Sequence, residues 1–414
     1  MQKKLLAVAV AGALGAPAVA MAQSSTVQVF GTMYIEYSLV DQGRYPAAAF
    51  PGGTQERSRA DYIQTPGSEI GFKGEEKLGG GLSAWFQCTS TADPRGISGD
   101  GFCERNSALG MKGGFGNVFI GNWDTPFKRT ISPTNVGGND TGTFGTAFLL
   151  TGGSTTTAYP GQAAGSGASV GRAIFKRRQN NLITYDSPNF GGFQVMAAVT
   201  SAQASTGTFE GTTNQKARIM SVAAQYSAGP IYVAAGYEVH KDANGNTAAP
   251  PVAGTAREGD DKGWHVGAAY TWGPVKFGGQ FTSQKVESGS IAVPTDVKYR
   301  AWHVGVDWNI VGPHGMRAAY TRALDTHGTP GAAANAGNGV TRPGVAVAGA
   351  SNDNGAKLMQ IRYVYTFSKR TEFNVGYVRL DNDNVGTYNL GGLGSLPVAG
   401  ENQSAWVMSL RHTF

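Results

Sequence analysis

The stretch that decides the fold is residues 404–414, which read SAWVMSLRHTF. Successive side chains of a β-strand point to opposite faces of the sheet. The apolar and aromatic side chains therefore share one face, and they are Trp406, Met408, Leu410, His412 and Phe414. The odd positions from 407 to 413 share the other face, which is mostly polar and carries Arg411. The stretch predicts a strand that separates an apolar from a polar environment.

A strand with these two faces suits a closed barrel in a membrane, because the outer face meets lipid and the inner face meets water. The alternation recurs at 27–35 (VQVFGTMYI), 231–239 (IYVAAGYEV), 264–272 (WHVGAAYTW) and 302–308 (WHVGVDW). The tryptophans that bracket the last two segments match the aromatic girdles of membrane barrels. A soluble β-sandwich also alternates, but the girdle spacing and the lack of a helical layer favour the barrel.

Residues 1–22 have the design of a secretory signal peptide, with two early lysines, an apolar run and Ala20-Met21-Ala22 as the cleavage signal. An N-terminal membrane anchor is the alternative, but glycine and proline interrupt a run that is short for a span. We predict cleavage after Ala22, export through the periplasm to the outer membrane, and one transmembrane barrel domain over residues 23–414.

The composition excludes several other classes of protein. No segment after residue 22 approaches the ~20 apolar residues of a transmembrane helix. The 61 glycines and 16 tyrosines suit strands with short turns and a polar lumen. The formal charge of +6 includes no basic run longer than residues 176–178, so we expect no nucleic-acid partner.

Counting the alternating segments gives the fold class, a 16-stranded antiparallel β-barrel. The predicted strands are 26–39, 67–74, 81–88, 105–112, 117–123, 178–187, 192–200, 216–227, 230–240, 262–272, 274–286, 296–310, 315–323, 356–368, 371–381 and 403–414. Tight Gly/Pro/Asn turns alternate with long loops such as 241–261, 287–295, 324–355 and 382–402. Short periplasmic turns and long extracellular loops are typical of outer-membrane barrels of this size, which enclose an aqueous channel.

Several motifs resemble the general porins of beta-proteobacteria over the whole mature chain. They are SSTVQVFG (24–31), SEIGFKGEEKLGGGL (68–82), GGFG (113–116) before VFIG (118–121), YDSPNFGGF (185–193), SKRT (368–371) and the final LRHTF (410–414). The chain departs from the family pattern where arginine or another basic residue is usual, at Glu69, Asn122 and Thr184.

The resemblance implies a homotrimeric diffusion porin that sits in lipid and lipopolysaccharide and folds its third loop into the lumen. Such a porin passes ions and small hydrophilic solutes, often with a preference for anions, and its terminal aromatic, here Phe414, is an assembly signal. A substrate-selective channel is the second hypothesis. An adhesin-like barrel that binds through its long loops is the third.

The segment from 123 to 170 is too long for a turn, and a structureless connection of this length is expected to be functional. We predict that it forms the constriction loop, with Asp124 and Asp140 as its acids and the apolar patch 144–150 docked on the inner wall. The alternative is an external loop, given the Gly/Ser/Thr tract at 151–171.

The opposing wall follows from side-chain alternation. A charge on the lipid face costs ~2–4 kcal/mol near the midplane, so basic side chains at mid-strand should face the lumen. The predicted basic wall comprises Lys73, Arg105, Lys176, Arg178, Arg317, Arg362 and Arg411, with Arg105 assigned by its match to a family arginine. Their excess over the two loop acids predicts a weak anion preference, although some could lie near a rim without effect.

The only two cysteines, Cys88 and Cys103, flank the connection between the third and fourth predicted strands. In an exported chain they predict a disulfide rather than two separated thiols. Two thiols without a nearby histidine do not suggest a metal site. We expect no cofactor and no enzymatic activity, because no nucleophile in the sequence has an identifiable base.

Overall fold

The computed structural model describes residues 27–44, 57–96, 101–150, 175–200, 218–241, 260–289, 294–328, 353–384, 386, 388–391 and 400–414. The predicted signal peptide, residues 1–22, lies outside the described residues. In the parts of the chain that are described, no helix is long and apolar enough to cross a membrane.

The alternating segments form one antiparallel sheet that closes on itself. Its strands are β1 (Gln28–Arg44), β2 (Arg57–Gln64), β3 (Glu69–Gly79), β4 (Leu82–Thr91), β5 (Ser107–Gly113), β6 (Gly116–Asp124), β7 (Arg178–Asp186), β8 (Phe193–Thr200), β9 (Arg218–Ala228), β10 (Ile231–Lys241), β11 (Asp261–Trp272), β12 (Val275–Gly289), β13 (Pro294–Val311), β14 (His314–Ala323), β15 (His327–Gly328), β16 (Ala356–Ser368), β17 (Thr371–Asn382) and β18 (Gln403–Thr413). Closure comes from β18 pairing with β1, where Arg411 lies opposite Tyr34.

The eighteen strand segments make up sixteen barrel-spanning strands, which we call staves, because two of the staves are each formed by two segments. Both β2 and β3 pair with β1, β2 with its second half and β3 with its first. Residues 65–68 interrupt this stave. There the Ser68 hydroxyl takes the place of backbone partners, because it accepts from the Tyr34 N–H and donates to the Tyr34 C=O, both at 2.9 Å. Likewise β14 and β15 both pair with β13. The predicted 16-stranded antiparallel barrel is therefore confirmed.

The two faces of the strands are those that the alternation predicts. On β18, Trp406 is 61% exposed on the outer face, whereas Val407 and Ser409 are buried against the interior. On β11, Trp264 and Trp272 are exposed and His265 between them is buried. An apolar outer face and a polar inner face are the arrangement that a barrel needs between lipid and water.

Short turns lie at one rim of the barrel and long connections at the other. Two-residue turns join β3 to β4, β5 to β6, β9 to β10, β11 to β12, β13 to β14 and β16 to β17. We call this end the turn rim and the opposite end the loop rim. One connection differs from the prediction of a long loop at 287–295. There β12 and β13 continue to Gly289 and Pro294, so the connection is only residues 290–293.

Candidate functional site

A long connection between β6 and β7, residues 125–177, turns into the barrel and is called the lumen loop. Its described parts are 125–150 and 175–177. It begins with helix α1 (Pro126–Ile131), where Thr125 caps the N-terminus and proline occupies the first turn. A 3₁₀ turn (Ser132–Thr134) and the short helix α2 (Ala147–Leu150) follow. This confirms that the third loop folds into the lumen.

Helix α1 is held against strands β9, β10 and β11. The Phe127 N–H donates to the Ser221 hydroxyl at 3.1 Å, and the Tyr232 hydroxyl donates to the Thr130 carbonyl at 3.2 Å. The Thr130 hydroxyl lies 3.0 Å from Nε2 of His265. These bonds satisfy polar groups on a wall that the loop removes from water, so they fix the start of the loop.

The wall opposite Val136 is made of glycine, which lets the loop backbone approach the sheet. A Cβ placed at Gly278 would collide with the Val136 side chain, and one at Gly305 would collide with the Val136 carbonyl oxygen. The same carbonyl lies 2.9 Å from Nε2 of His303. Close approach of another backbone is a known use of glycine within strands.

The middle of the loop is anchored by Glu36 on β1. The Thr143 N–H donates to Oε1 of Glu36 at 2.7 Å, and the Tyr34 hydroxyl donates to Oε2 at 3.1 Å. The Ser38 and Thr143 hydroxyls lie 2.9 Å apart. Glu36 is fully buried, so these donors compensate for the loss of its hydration.

The predicted apolar patch 144–150 docks on the inner wall. Phe144, Leu149 and Leu150 are almost fully buried, and the first two belong to an apolar cluster with residues of β1, β16, β17 and β18. The Leu150 carbonyl accepts a hydrogen bond from the Gln284 amide at 3.0 Å. Apolar burial and wall hydrogen bonds together hold this end of the loop inside the barrel.

Between the lumen loop and the wall lies a cavity of about 400 Å³, which we call the eyelet cavity. Three predicted basic residues line it, Arg317 on β14, Arg362 on β16 and Arg411 on β18. Strand pairing places Arg317 directly opposite Arg362, an arrangement that is unfavourable unless acids intervene. The structure therefore gathers three guanidinium groups on one wall, far apart in sequence.

The three guanidinium groups differ in their partners. Arg317 makes a two-bond ion pair with Glu372 at 3.1 and 3.3 Å. Arg362 donates to the Gly138 carbonyl at 3.2 Å and lies over the Phe144 ring. Arg411 is exposed to the lumen and has no ion pair within 4 Å among the residues that the structure describes. Arg411 is thus the guanidinium open to solutes.

A second charge cluster lies where β6 enters the lumen loop. Asp124 pairs with Lys128 at 2.9 Å and with Arg178 at 3.2 Å. Arg105 pairs with Glu69 at 2.8 Å. Among these residues only Glu69 also lines the eyelet cavity. The structure therefore places the predicted residues Arg105, Arg178 and Asp124 beside the cavity rather than on its surface.

The remaining predicted residues have different surroundings. The Lys176 ammonium is buried and pairs with Asp140 at 2.7 Å, which links the two ends of the lumen loop. Burial alone would raise the pKa of Asp140, but Lys176 and hydrogen bonds, including one from the Ser132 hydroxyl, lower it to about 2. Lys73 lies near the turn rim, over the Phe30 ring, and does not line the cavity.

Sequence reasoning missed the acids of the wall. Glu69 and Glu372 line the cavity together with Asp140, and Asp307 lies 3.9 Å from Arg317. Alternation carries the signal for Glu372, because its neighbour Phe373 is an outward residue type and the acid must then point inward. The loop rim also gathers Asp325, Asp353 and Asp383. There Asp383 pairs with Arg322, and Asp325 accepts hydrogen bonds from the N–H groups of residues 354 and 355.

The geometry defines a class of protein: a closed barrel of sixteen staves, polar within and apolar outside, narrowed by an inserted loop. That class is a water-filled membrane channel. The sequence profile described as Gram-negative porin matches residues 6–385. The chain belongs to this family and is an outer-membrane diffusion channel.

Individual relatives agree with the family assignment. The outer membrane porin protein 32 of Delftia acidovorans is 26% identical over 423 residues, which cover 100% of both chains. Among solved structures, the anion-selective porin from Comamonas acidovorans superposes with a TM-score of 0.66 at 22% identity, covering 94% of this chain and 100% of that one. The trimer form of OmpT from Vibrio cholerae superposes with a TM-score of 0.60 at 14% identity, covering 95% and 100%.

Proposed function

We propose that the barrel lets ions and small hydrophilic solutes diffuse passively through the eyelet cavity, with a weak preference for anions. The observation that carries this proposal is the row of guanidinium groups on β14, β16 and β18, in which Arg411 has no ion pair within the described residues. A row of side-chain charge on a channel wall sets ion preference through the local potential.

The preference should be weak because acids accompany the arginines. Glu372 neutralises Arg317, and Asp140 is itself neutralised by Lys176. Glu69 is likewise paired with Arg105. Among the described residues, the cavity guanidinium groups without an ion pair are therefore those of Arg362, which is buried against the lumen loop, and Arg411, which is exposed. The name of the Comamonas relative, an anion-selective porin, supports the same sign.

The test is the reversal potential of single channels in a neutral planar bilayer under a KCl gradient. The proposal expects stable ohmic openings and a reversal potential displaced moderately towards the chloride equilibrium potential. A displacement towards the potassium equilibrium potential would refute the anion preference, and the absence of conductance would refute the channel.

We further propose that the protein works as a homotrimer in lipid and lipopolysaccharide. Family membership supports the trimer, and so does the similarity to the trimer form of Vibrio cholerae OmpT. Mass determination of mildly extracted, unheated protein should give three times the mass of the mature chain. A monomer under these conditions would refute the proposal.

Export and assembly complete the proposal. Signal peptidase should cleave after Ala22, so intact mass measurement of membrane-extracted protein should show an N-terminus at Gln23. Phe414 should act as the assembly signal, because its N–H and C=O exchange hydrogen bonds with Gly31 at the seam of the barrel, at 3.1 and 3.2 Å. Transport requires no cofactor, metal or catalytic step in this proposal.

A further inference from the structure

The eyelet cavity carries both signs of charge in equal number. Its lining includes three guanidinium groups, Arg317, Arg362 and Arg411, and three carboxylates, Glu69, Asp140 and Glu372. Each carboxylate has a basic partner, namely Lys176 for Asp140, Arg105 for Glu69 and Arg317 for Glu372. The cavity can therefore favour a solute with both signs of charge only through groups that keep hydrogen-bonding capacity in spite of these pairs.

Most of these six groups are committed to partners within the protein. Arg317 and Glu372 bond each other, and Asp140 bonds Lys176. Two groups retain capacity for a solute. Arg411 has no ion pair in the described chain, and Glu69 accepts from Arg105 through Oε2 only, so Oε1 has no hydrogen-bond partner among the described residues.

The pairing of the strands explains why Arg411 keeps its capacity. Its register partner on β17 is Glu372, but the carboxylate of Glu372 is bound by Arg317. On the other side its register partner is Tyr34. Among the described residues, neither neighbour forms a hydrogen bond or an ion pair within 4 Å with the guanidinium, which lines the cavity and carries five N–H donors.

Arg411 and Glu69 stand on either side of one strand. Glu69 on β3 lies opposite Thr32 of β1, and Arg411 on β18 lies opposite Tyr34, two residues further along β1. Strands are about 4.8 Å apart and residues rise about 3.4 Å along a strand, so two strand spacings and an offset of two residues put the two Cα atoms roughly 12 Å apart. The two side chains form no ion pair with each other, and a small molecule between them can meet both charges.

We propose that the eyelet cavity is a binding site for small zwitterions of the α-amino acid class. The solute carboxylate bonds the guanidinium of Arg411, and the solute ammonium bonds Oε1 of Glu69. This inference rests on the proposed diffusion function and names the class of solute that the cavity favours. A charge-assisted bond at each end distinguishes the zwitterion from simple anions and cations.

The experiment compares three solutes with the same carbon skeleton, namely alanine, lactate and lactamide. Each is titrated against the KCl current of single channels in a planar bilayer. Alanine is expected to reduce the current saturably, with a half-saturating concentration at least about tenfold below those of lactate and lactamide, because only alanine makes both charge-assisted bonds.

Two variants and a matched control complete the test. Glu69→Gln should abolish the advantage of alanine over lactate, and Arg411→Gln should weaken block by both. Arg370→Gln, at an exposed turn outside the cavity, should change neither. Stable ohmic KCl openings of any size in all three variants show that the channels are folded and open, and Arg370→Gln alone should keep the wild-type conductance.

Equal block by alanine and lactamide in the wild type would overturn the inference, as would block by lactate as strong as that by alanine. Unchanged alanine block in both Glu69→Gln and Arg411→Gln would also overturn it. Each of these results leaves the KCl conductance intact, so the inference can fail while the proposed channel function stands.

Discussion

At the scale of single residues, sequence alternation predicted which side chains point into the lumen, but it did not predict which residues those side chains form ion pairs with. Arg411 lies between Leu410 and His412, and an apolar neighbour at one residue's distance is enough to predict that it faces the lumen. Alternation cannot show that Arg317, 94 positions earlier in the chain, forms an ion pair with Glu372, the residue that lies opposite Arg411. Such a contact depends on which strands become neighbours.

Replacing Arg411 by Gln should lower the anion preference, and replacing Arg317 by Gln should lower it by a similar amount. The first exchange removes an exposed unpaired guanidinium, and the second frees the Glu372 carboxylate to neutralise Arg411, its register partner. Reversal potentials under a KCl gradient measure both effects. Arg370→Gln, the same exchange at an exposed turn, is the control and should match the wild type. Equal effects of the Arg411 and Arg370 exchanges would contradict the assignment.

The ion pair between Asp140 and Lys176 predicts a response to acid. The pKa of Asp140 is about 2 in the folded chain against an ordinary value of 3.8. Because the folded value is the lower one, the stabilisation is complete above about pH 4 and is lost as pH falls towards 2. Open-channel current noise should therefore stay constant from pH 7 to pH 4 and rise below it.

Asp140→Asn should give the noisier current from pH 7 to pH 4, because the buried Lys176 then has no ionised partner, and the difference from the wild type should shrink as pH falls towards 2. Glu76→Gln, an exposed exchange on β3, is the control and should behave as the wild type. A rise in noise centred near pH 6 in the wild type would contradict the role of Asp140.

At the scale of elements, the docking of the lumen loop was only partly predictable. An apolar patch at 144–150 within a polar loop indicates burial on a wall, and the structure confirms it. The anchor at Glu36 gave no signal, because a lone acid within an alternating strand is equally typical of a solvated lumen face. Its role arises only when the loop brings the Thr143 N–H to it.

Replacing Glu36 by Ala should loosen the lumen loop. The change leaves the Thr143 N–H and the Tyr34 hydroxyl without an acceptor in a buried place, and such groups cost about 1–3 kcal/mol each. Limited proteolysis of the membrane-embedded protein should cut the loop faster, while the barrel stays intact. Glu36→Gln keeps an acceptor and should be milder, and Glu76→Ala should have no effect. Identical cleavage in all variants would contradict the anchor.

The connection between β4 and β5 is closed by the Cys88–Cys103 disulfide, with a Cα–Cα distance of 4.8 Å. Their spacing of 15 residues implies a stabilisation of ~3 kcal/mol in the chain-entropy model. Unfolded, unreduced protein should show no free thiol by labelling. The double exchange Cys88→Ser with Cys103→Ser should lower the thermal midpoint while KCl conductance remains. Two free thiols per chain would disprove the bond.

At the scale of the whole molecule, alternation and turn residues predicted the number of staves and the position of nearly every strand. The prediction failed where the sequence does not alternate clearly. Strand β2 reads RSRADYIQ, too polar to be recognised alone, and it forms because the long strand β1 offers a partner. Similarly, β12 and β13 extend beyond their predicted ends, because each strand provides the backbone hydrogen-bond partners for the other.

The eyelet cavity depends on the whole molecule as well. Its lining comes from β1, β3, β14, β16, β17, β18 and the lumen loop, which are brought together only when the barrel closes and the loop folds inward. The sequence predicted the three arginines, but the balancing acids became significant only when their shared location was known. The strength and sign of the ion selectivity therefore depend on the folded barrel as a whole and not on any single segment of the sequence.

The water accessibility of adjacent positions on β18 decides whether the barrel is an aqueous channel lined by Arg411. Arg411→Cys should react with a water-soluble cationic methanethiosulfonate added to an open channel, and the reaction should step the conductance and restore part of the anion preference. Leu410→Cys, one residue away on the outer face, should not react, and the disulfide-bonded native cysteines give no background. Reaction at position 410 without reaction at 411, or reaction at 411 without any change in current, would contradict an aqueous channel lined by Arg411.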